Sequence, residues 1–270
     1  MSATAYTSNP NMKRLFVSRL ALGILLSALS AATSTSWAGP PNEREVRLAA
    51  RYDLEKPAGE GPFPAVMLVP GCSGFERQPW KGHYQRTAQR LKKLGFVTIK
   101  VDYLSASDVS TCELVMNPAE LGDDVVTVAN YLLQQSYVKP DAINLLAWSY
   151  GGVPTFHALR KTDSRAPAQV AAVIAFYPYV SLPEQLKIEN PVLVLCTKQD
   201  VDSACSRIET LVAEEPARGR LRIVKYEDGY HGFDNSDLPA KVETANGRVM
   251  GYKETTATNA WSEVVDFLRR

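Results

Sequence analysis

Six short apolar runs punctuate the chain beyond residue 60: PAVMLVP (64–70), FVTIKVDY (96–103), AINLLAW (142–148), AAVIAFYP (171–178), PVLVLC (191–196) and LRIVKY (221–226). They are rich in β-branched and aromatic residues and have the length of strands rather than helices. Most are nearly continuous in apolar residues, which predicts strands covered on both faces, as in a parallel sheet. Helical spacing fills the intervals. Residues 81–94 set Leu91 and Leu94 opposite a polar face that includes a solvated His83, and Gly95 stands where a C′ glycine ends a helix. In residues 118–136, Leu121, Val125, Val128, Tyr131 and Leu132 recur at three- and four-residue spacing behind Pro118. The closing segment, 257–270, directs Trp261, Val264, Val265 and Leu268 toward a sheet. Strands alternating with helices predict an α/β domain, a mainly parallel sheet flanked by helices. No repeat or low-complexity linker divides it, so one domain is expected from Gly39 to Arg270.

Residues 1–38 follow a different rule. A basic flank, MKRLFVSR, precedes the apolar run LALGILLSALSAA, and SWA puts small residues at the −3 and −1 positions of a cleavage site after Ala38. This is the layout of a secretory signal peptide, with Met12 a candidate start, and the run is short for a permanent membrane span. The mature protein is expected to be periplasmic or secreted, without a membrane attachment once the signal is removed.

Composition adds exclusions. Thirty basic residues against 29 acidic ones give a net charge of +1, and no stretch gathers Lys and Arg into a face, so nucleic-acid binding has no support. A small or weakly charged substrate is the better expectation. Export makes the four cysteines, Cys72, Cys112, Cys196 and Cys205, candidates for disulfides, with three full pairings open. No CxxC or HExxH spacing occurs and only three histidines are present, so neither metal nor cofactor is expected.

The chemistry centres on AWSYG, residues 147–151. A serine on a sharp turn from strand to helix projects its hydroxyl beyond the sheet, and small residues two positions away on each side let the backbone pass closely. Alanine stands at 147 where glycine is usual. An alkyl hydroxyl needs a general base, and imidazole titrates in the right range. His83 sits on a helix, and His157 lies two turns behind Ser149. His231 falls in the loop after the last strand run, at the edge where open α/β sheets bind ligands. A carboxylate to orient it should follow another strand at that edge. Asp200 and Asp202 both follow PVLVLC; Asp200 is nearer the strand end and is preferred, with Asp202 the alternative. The order Ser149, Asp200, His231 is that of α/β-hydrolases. Backbone N–H groups of Tyr150, after the nucleophile, and Cys72, in the loop VPGCSGF, are the expected oxyanion donors. Cys72 as a rival nucleophile lacks the strand-to-helix turn.

The blocks PGCSGF, LLAWSYGG, AFYPYV, LVLCTKQDVDSAC and YEDGYHGFD, in this order, resemble the dienelactone hydrolase family of α/β-hydrolases, particularly its exported bacterial members. The resemblance covers nearly all of the mature chain. It implies the α/β-hydrolase fold and a Ser or Cys nucleophile with His and Asp, carried here onto Ser149, His231 and Asp200. Founding members carry cysteine where Ser149 stands, and Pro70 takes the place of a histidine found in many related oxyanion loops. The same resemblance places Cys112 and Cys205 in loops at the catalytic edge and suggests that they are bridged, with Cys196 a buried thiol inside its strand. The expected activity is hydrolysis of a small carboxylic ester or lactone. Alternatives on the same fold are a peptidase, a polyester hydrolase or a binding protein without turnover.

Overall fold

The six predicted strands form the centre of a computed structural model that describes residues 42–114, 117–159, 170–181, 189–201, 205–211, 220–245 and 247–270. The expected signal segment, 1–38, lies outside these residues, as does Asp202. In chain order the first half contains α1 (Glu43–Ala49), β1 (Leu54–Glu55), β2 (Phe63–Val69), α2 (Trp80–Lys93), β3 (Val97–Lys100), α3 (Tyr103–Ala106) and α4 (Pro118–Leu133). The second half continues with β4 (Val138–Trp148), α5 (Gly152–Ala158), β5 (Val170–Phe176), β6 (Val192–Thr197), α6 (Cys205–Leu211) and β7 (Leu221–Tyr226). A two-stranded hairpin, β8 (Val242–Glu243) and β9 (Val249–Met250), and the helix α7 (Glu254–Leu268) complete the described chain.

The main sheet has seven strands in the order β1-β3-β2-β4-β5-β6-β7, all parallel except the short edge strand β1. From β2 the chain first steps outward to β3 and then returns to the other side of β2 as β4. The ends of β2 and β4 therefore flank the point where connections leave in opposite directions, the crevice in which open α/β sheets bind ligands.

Alternation along each strand sorts side chains into two layers. Ala65, Met67, Val69, Leu145, Ala147, Val173 and Val194 pack toward the cluster that includes α4 and α5. Val66, Leu68, Leu146, Trp148, Ile174, Phe176 and Leu195 face α2 and α7. Because both layers are buried, β2, β5, β6 and the later half of β4 show little polar alternation and are visible as apolar runs, whereas the edge strand β7 leaves Arg222 and Lys225 exposed. Full burial of each Val, Leu, Ile, Met or Phe side chain among them contributes about 1.5–3 kcal/mol. In α7 the buried face is Ala260, Trp261, Val264 and Phe267. Val265 and Leu268, assigned to that face from spacing, are only partly covered, since α7 is rotated to put Phe267 inward. Leu94 likewise is exposed, because α2 ends at Lys93 and Leu94 caps it. His83, expected on the solvated side of α2, is buried, because residues of the His231 loop cover that side. Among the described residues no helix is long and apolar enough to cross a membrane.

Helix α1 docks through buried Leu48, a hydrogen bond from Arg47 to the Ala106 carbonyl and a buried ion pair. Arg44 Nε and Nη2 donate to Asp124 Oδ1 and Oδ2 on α4 at 2.6 and 2.7 Å. Burial pushes the Asp124 carboxyl above its usual range, and Arg44 pulls it back. Replacing Arg44 by alanine leaves a buried carboxylate alone and is expected to cost about 3 kcal/mol in urea unfolding at neutral pH. A carboxyl raised in the folded state binds protons more readily there than in the unfolded chain. The deficit should therefore shrink as the pH falls through the raised value, and a pH-independent deficit would contradict this account.

Candidate active site

Strand β4 ends at Trp148 in extended conformation, and Ser149 turns abruptly into the left-handed region with φ 49°. That conformation costs a residue with a Cβ about 1–2 kcal/mol. It is held by its surroundings. Tyr179 N–H donates to the Ser149 carbonyl at 2.7 Å. Gly151 admits the start of the helix against β2: a Cβ there would press on the Val69 carbonyl and lie 2.6 Å from that of Pro70. Ala147 is fully buried toward the α4 and α5 side, so this turn accommodates a methyl group where glycine is usual.

The predicted partners meet at this turn. His231 Nε2 lies 2.8 Å from Ser149 Oγ, and His231 Nδ1 lies 2.9 Å from Asp200 Oδ2. All three residues are buried. A carboxylate can only accept, so the proton belongs on Nδ1, which leaves Nε2 to accept from the serine hydroxyl. Asp200 follows β6 and His231 follows β7, and the two loops are tied together. Thr197 Oγ1 donates to the Gly229 carbonyl at 2.6 Å, and Gly229 N–H donates to Gln199 Oε1 at 3.2 Å. His157 stands apart, with Nε2 2.9 Å from the Ser181 carbonyl.

The loop after β2 runs beside the serine. A Cβ on Gly71 would stand 3.3 Å from that of Ser149. Tyr103 donates its hydroxyl to the Pro70 carbonyl at 2.7 Å, and Gly71 N–H donates to the Tyr84 hydroxyl at 2.9 Å. Burial pushes both phenols well above their ordinary range, so they remain neutral hydrogen-bonding groups. Cys72, Ser149 and His231 line one cavity of about 420 Å³, whose walls also include Trp80, Arg248 and Met250. Tyr150 stacks its ring on Tyr179, at 6.4 Å between centroids. Its N–H lies in the first turn of the helical run, where no acceptor within the helix is available.

The disulfides differ from the expected arrangement. Cys72 is bridged to Cys112, and Cys196 to Cys205, so Cys112 and Cys205 are not partners and Cys196 is not a free thiol. The loops at the catalytic edge do come together, but the meeting is between the β2 loop and the 3₁₀ turn Cys112–Leu114, with Cα atoms 4.6 Å apart. Cys196 occupies its strand as expected and finds its partner at the start of α6. Among the described residues no group of three or more His, Cys, Asp or Glu gathers in a metal-binding arrangement.

Residues 51–270 match the sequence profile of the dienelactone hydrolase family. The chain belongs to the dienelactone hydrolase family. It is 23% identical over 250 residues to a Bradyrhizobium sp. protein named as a probable 2-oxo-3-(5-oxofuran-2-ylidene)propanoate lactonase, covering 86% of this chain and 93% of that one. Its fold is similar to that of a dienelactone hydrolase-like promiscuous phosphotriesterase from metagenomic libraries, with TM-score 0.64, 17% identity, and 81% and 91% of the two chains covered. Esterase 2 of Thermogutta terrifontis, solved after phosphorylation by paraoxon, is similar at TM-score 0.59 and 17% identity, covering 80% and 87%. Family membership makes the protein a carboxylic ester hydrolase.

Beside Asp200, the site of this dienelactone hydrolase family member holds another buried carboxylate, which the sequence did not single out as functional. Asp234, three residues beyond His231, does not touch the imidazole. It accepts from Trp148 Nε1 at 2.9 Å and from the Tyr177 hydroxyl at 2.6 Å. Tyr177 in turn lies under the His231 ring, 4.6 Å between centroids. Asp234 thus joins the histidine loop to the residue before the serine and to the end of β5. His83 Nε2 is 3.4 Å from Asp234 Oδ2 without hydrogen-bond geometry. Burial holds the His83 imidazole below its usual range, so it stays neutral and Asp234 depends on its two donors. Asp234→Ala would strand the buried indole N–H and phenol hydroxyl, and a loss of about 2–4 kcal/mol is expected in urea unfolding. A loss below about 1 kcal/mol would show that the bridge is dispensable.

Proposed function

We propose that the protein is an exported serine hydrolase that cleaves small carboxylic esters or lactones through an acyl-enzyme on Ser149. The observation that carries this reading is the unbroken line from Ser149 Oγ through His231 to Asp200, set in the wall of a cavity. Ser149 Oγ attacks the carbonyl carbon while His231 Nε2 takes its proton. Asp200 holds the imidazolium that forms and keeps its ring in register. The tetrahedral oxyanion is received by the N–H groups of Tyr150 and Cys72; each such donor contributes roughly 3 kcal/mol in the transition state. Collapse expels the alkoxide, which takes the proton from His231. In a lactone the leaving alcohol stays tethered to the acyl group. Water activated by the same imidazole then attacks the acyl-enzyme, Ser149 recovers its proton, and the carboxylic acid leaves.

The cavity, about 420 Å³ with Arg77, Glu113 and Arg248 in its walls, suits a small polar ester or lactone better than a long acyl chain. Export is supported by the basic flank, apolar run and small-residue site of residues 12–38, together with four cysteines that are all paired.

Ser149→Ala should lower kcat on a short activated ester by about 10³-fold or more while circular dichroism and the unfolding midpoint stay near wild type. Turnover undiminished in that variant contradicts the proposal. In a panel of esters graded by acyl length, kcat/KM is expected to fall for chains too long for the cavity.

A further inference from the structure

The segment that carries Cys72 is anchored one residue at a time. Pro70 is held through its carbonyl by Tyr103 and Gly71 through its N–H by Tyr84. Beyond Gly71 the backbone leaves these buried phenols. Cys72 is held instead by Cys112, through the disulfide and through Cys112 N–H donating to the Cys72 carbonyl at 3.1 Å. Thr111 Oγ1 adds a contact to Cys72 Sγ at 3.3 Å. Thr111 and Glu113 on either side of Cys112 line the same cavity as Ser149. The two bridges also differ in exposure. Cys72 and Cys112 are only partly buried, with Cys72 at the cavity wall, whereas Cys196 and Cys205 are 1% and 6% exposed.

We propose that Cys112 is a positioning residue for hydrolysis, and that its disulfide to Cys72 keeps the oxyanion loop in its working geometry and is open to thiols through the substrate cavity. The proposal rests on the serine-hydrolase reading given above. A preorganised donor acts on the developing oxyanion and much less on the bound ester, so loosening it lowers kcat and leaves KM nearly unchanged. A dithiol reductant breaks the Sγ–Sγ bond, yields two cysteine thiols and is itself oxidised to a cyclic disulfide. Turnover then follows the redox state of the partly buried bridge at the cavity wall while the fully buried bridge stays closed.

The test compares three samples of the mature protein on one short activated ester: oxidised wild type, wild type briefly treated with dithiothreitol, and Cys112→Ser. Alkylation and peptide mass analysis count the thiols released at 72 and 112. Circular dichroism and the thermal midpoint check that each sample is folded at the assay temperature. The expected result is a loss of about tenfold or more in kcat for the reduced and variant proteins, with KM within about threefold and kcat restored on reoxidation of the wild type. Reduced protein with both thiols titrated and unchanged kcat would overturn the proposal. So would a rise in KM at constant kcat, which would make the bridge only a pocket wall, or a loss of kcat accompanied by unfolding. Oxidised wild type without Ser149-dependent turnover is a different result, and it overturns the serine-hydrolase reading itself.

Discussion

The close approach between the start of α5 and the end of β2 is the constraint on which the site depends. Ser149 can adopt φ 49° only because the glycine two residues later lets the helix settle against the Val69 and Pro70 carbonyls. The unfavourable backbone is offset by the hydrogen bond from Tyr179 and by the burial of Trp148 one residue before it. The same contact draws the β2 loop alongside the serine. It occurs at the point where the connections leave the sheet in opposite directions, so the Ser149 turn and the β2 loop are neighbours by topology.

Two aspartates on different loops then serve different purposes. Asp200 faces the imidazole and fixes its tautomer. Asp234 lies on the protein side of the site and accepts from an indole and a phenol contributed by two strand ends. The first arrangement orients the His231 ring toward Ser149, and the second ties three loops together. Buried polar groups of this kind stabilise only when every donor and acceptor is matched, which ties Trp148 and Tyr177 to the carboxylate.

Much of this was legible in the chain, for physical reasons. Strands dry on both faces appear as apolar runs, and the residues after them must sit at one edge of a parallel sheet, so Ser149, Asp200 and His231 could be associated without any contact being known. The disulfides were not legible, because spacing along a sequence says nothing about which loops meet. Cys72 and Cys112 are 40 residues apart, and their bridge depends on how the 3₁₀ turn folds back on the β2 loop. Asp234 was not legible either, because its partners, Trp148 and Tyr177, come from β4 and the end of β5 and meet it only in the folded chain. His83 was misplaced for the related reason that a helix face reads as solvated until the loop covering it is known.

The central claim, that Ser149 is the nucleophile, is tested most directly by treating the mature protein with a fluorophosphonate and mapping the adduct by peptide mass spectrometry. The account predicts a single phosphonyl adduct on Ser149, absent in His231→Ala within the same labelling time. No adduct on the folded wild-type protein, or an adduct on another residue with Ser149 unmodified, would contradict it.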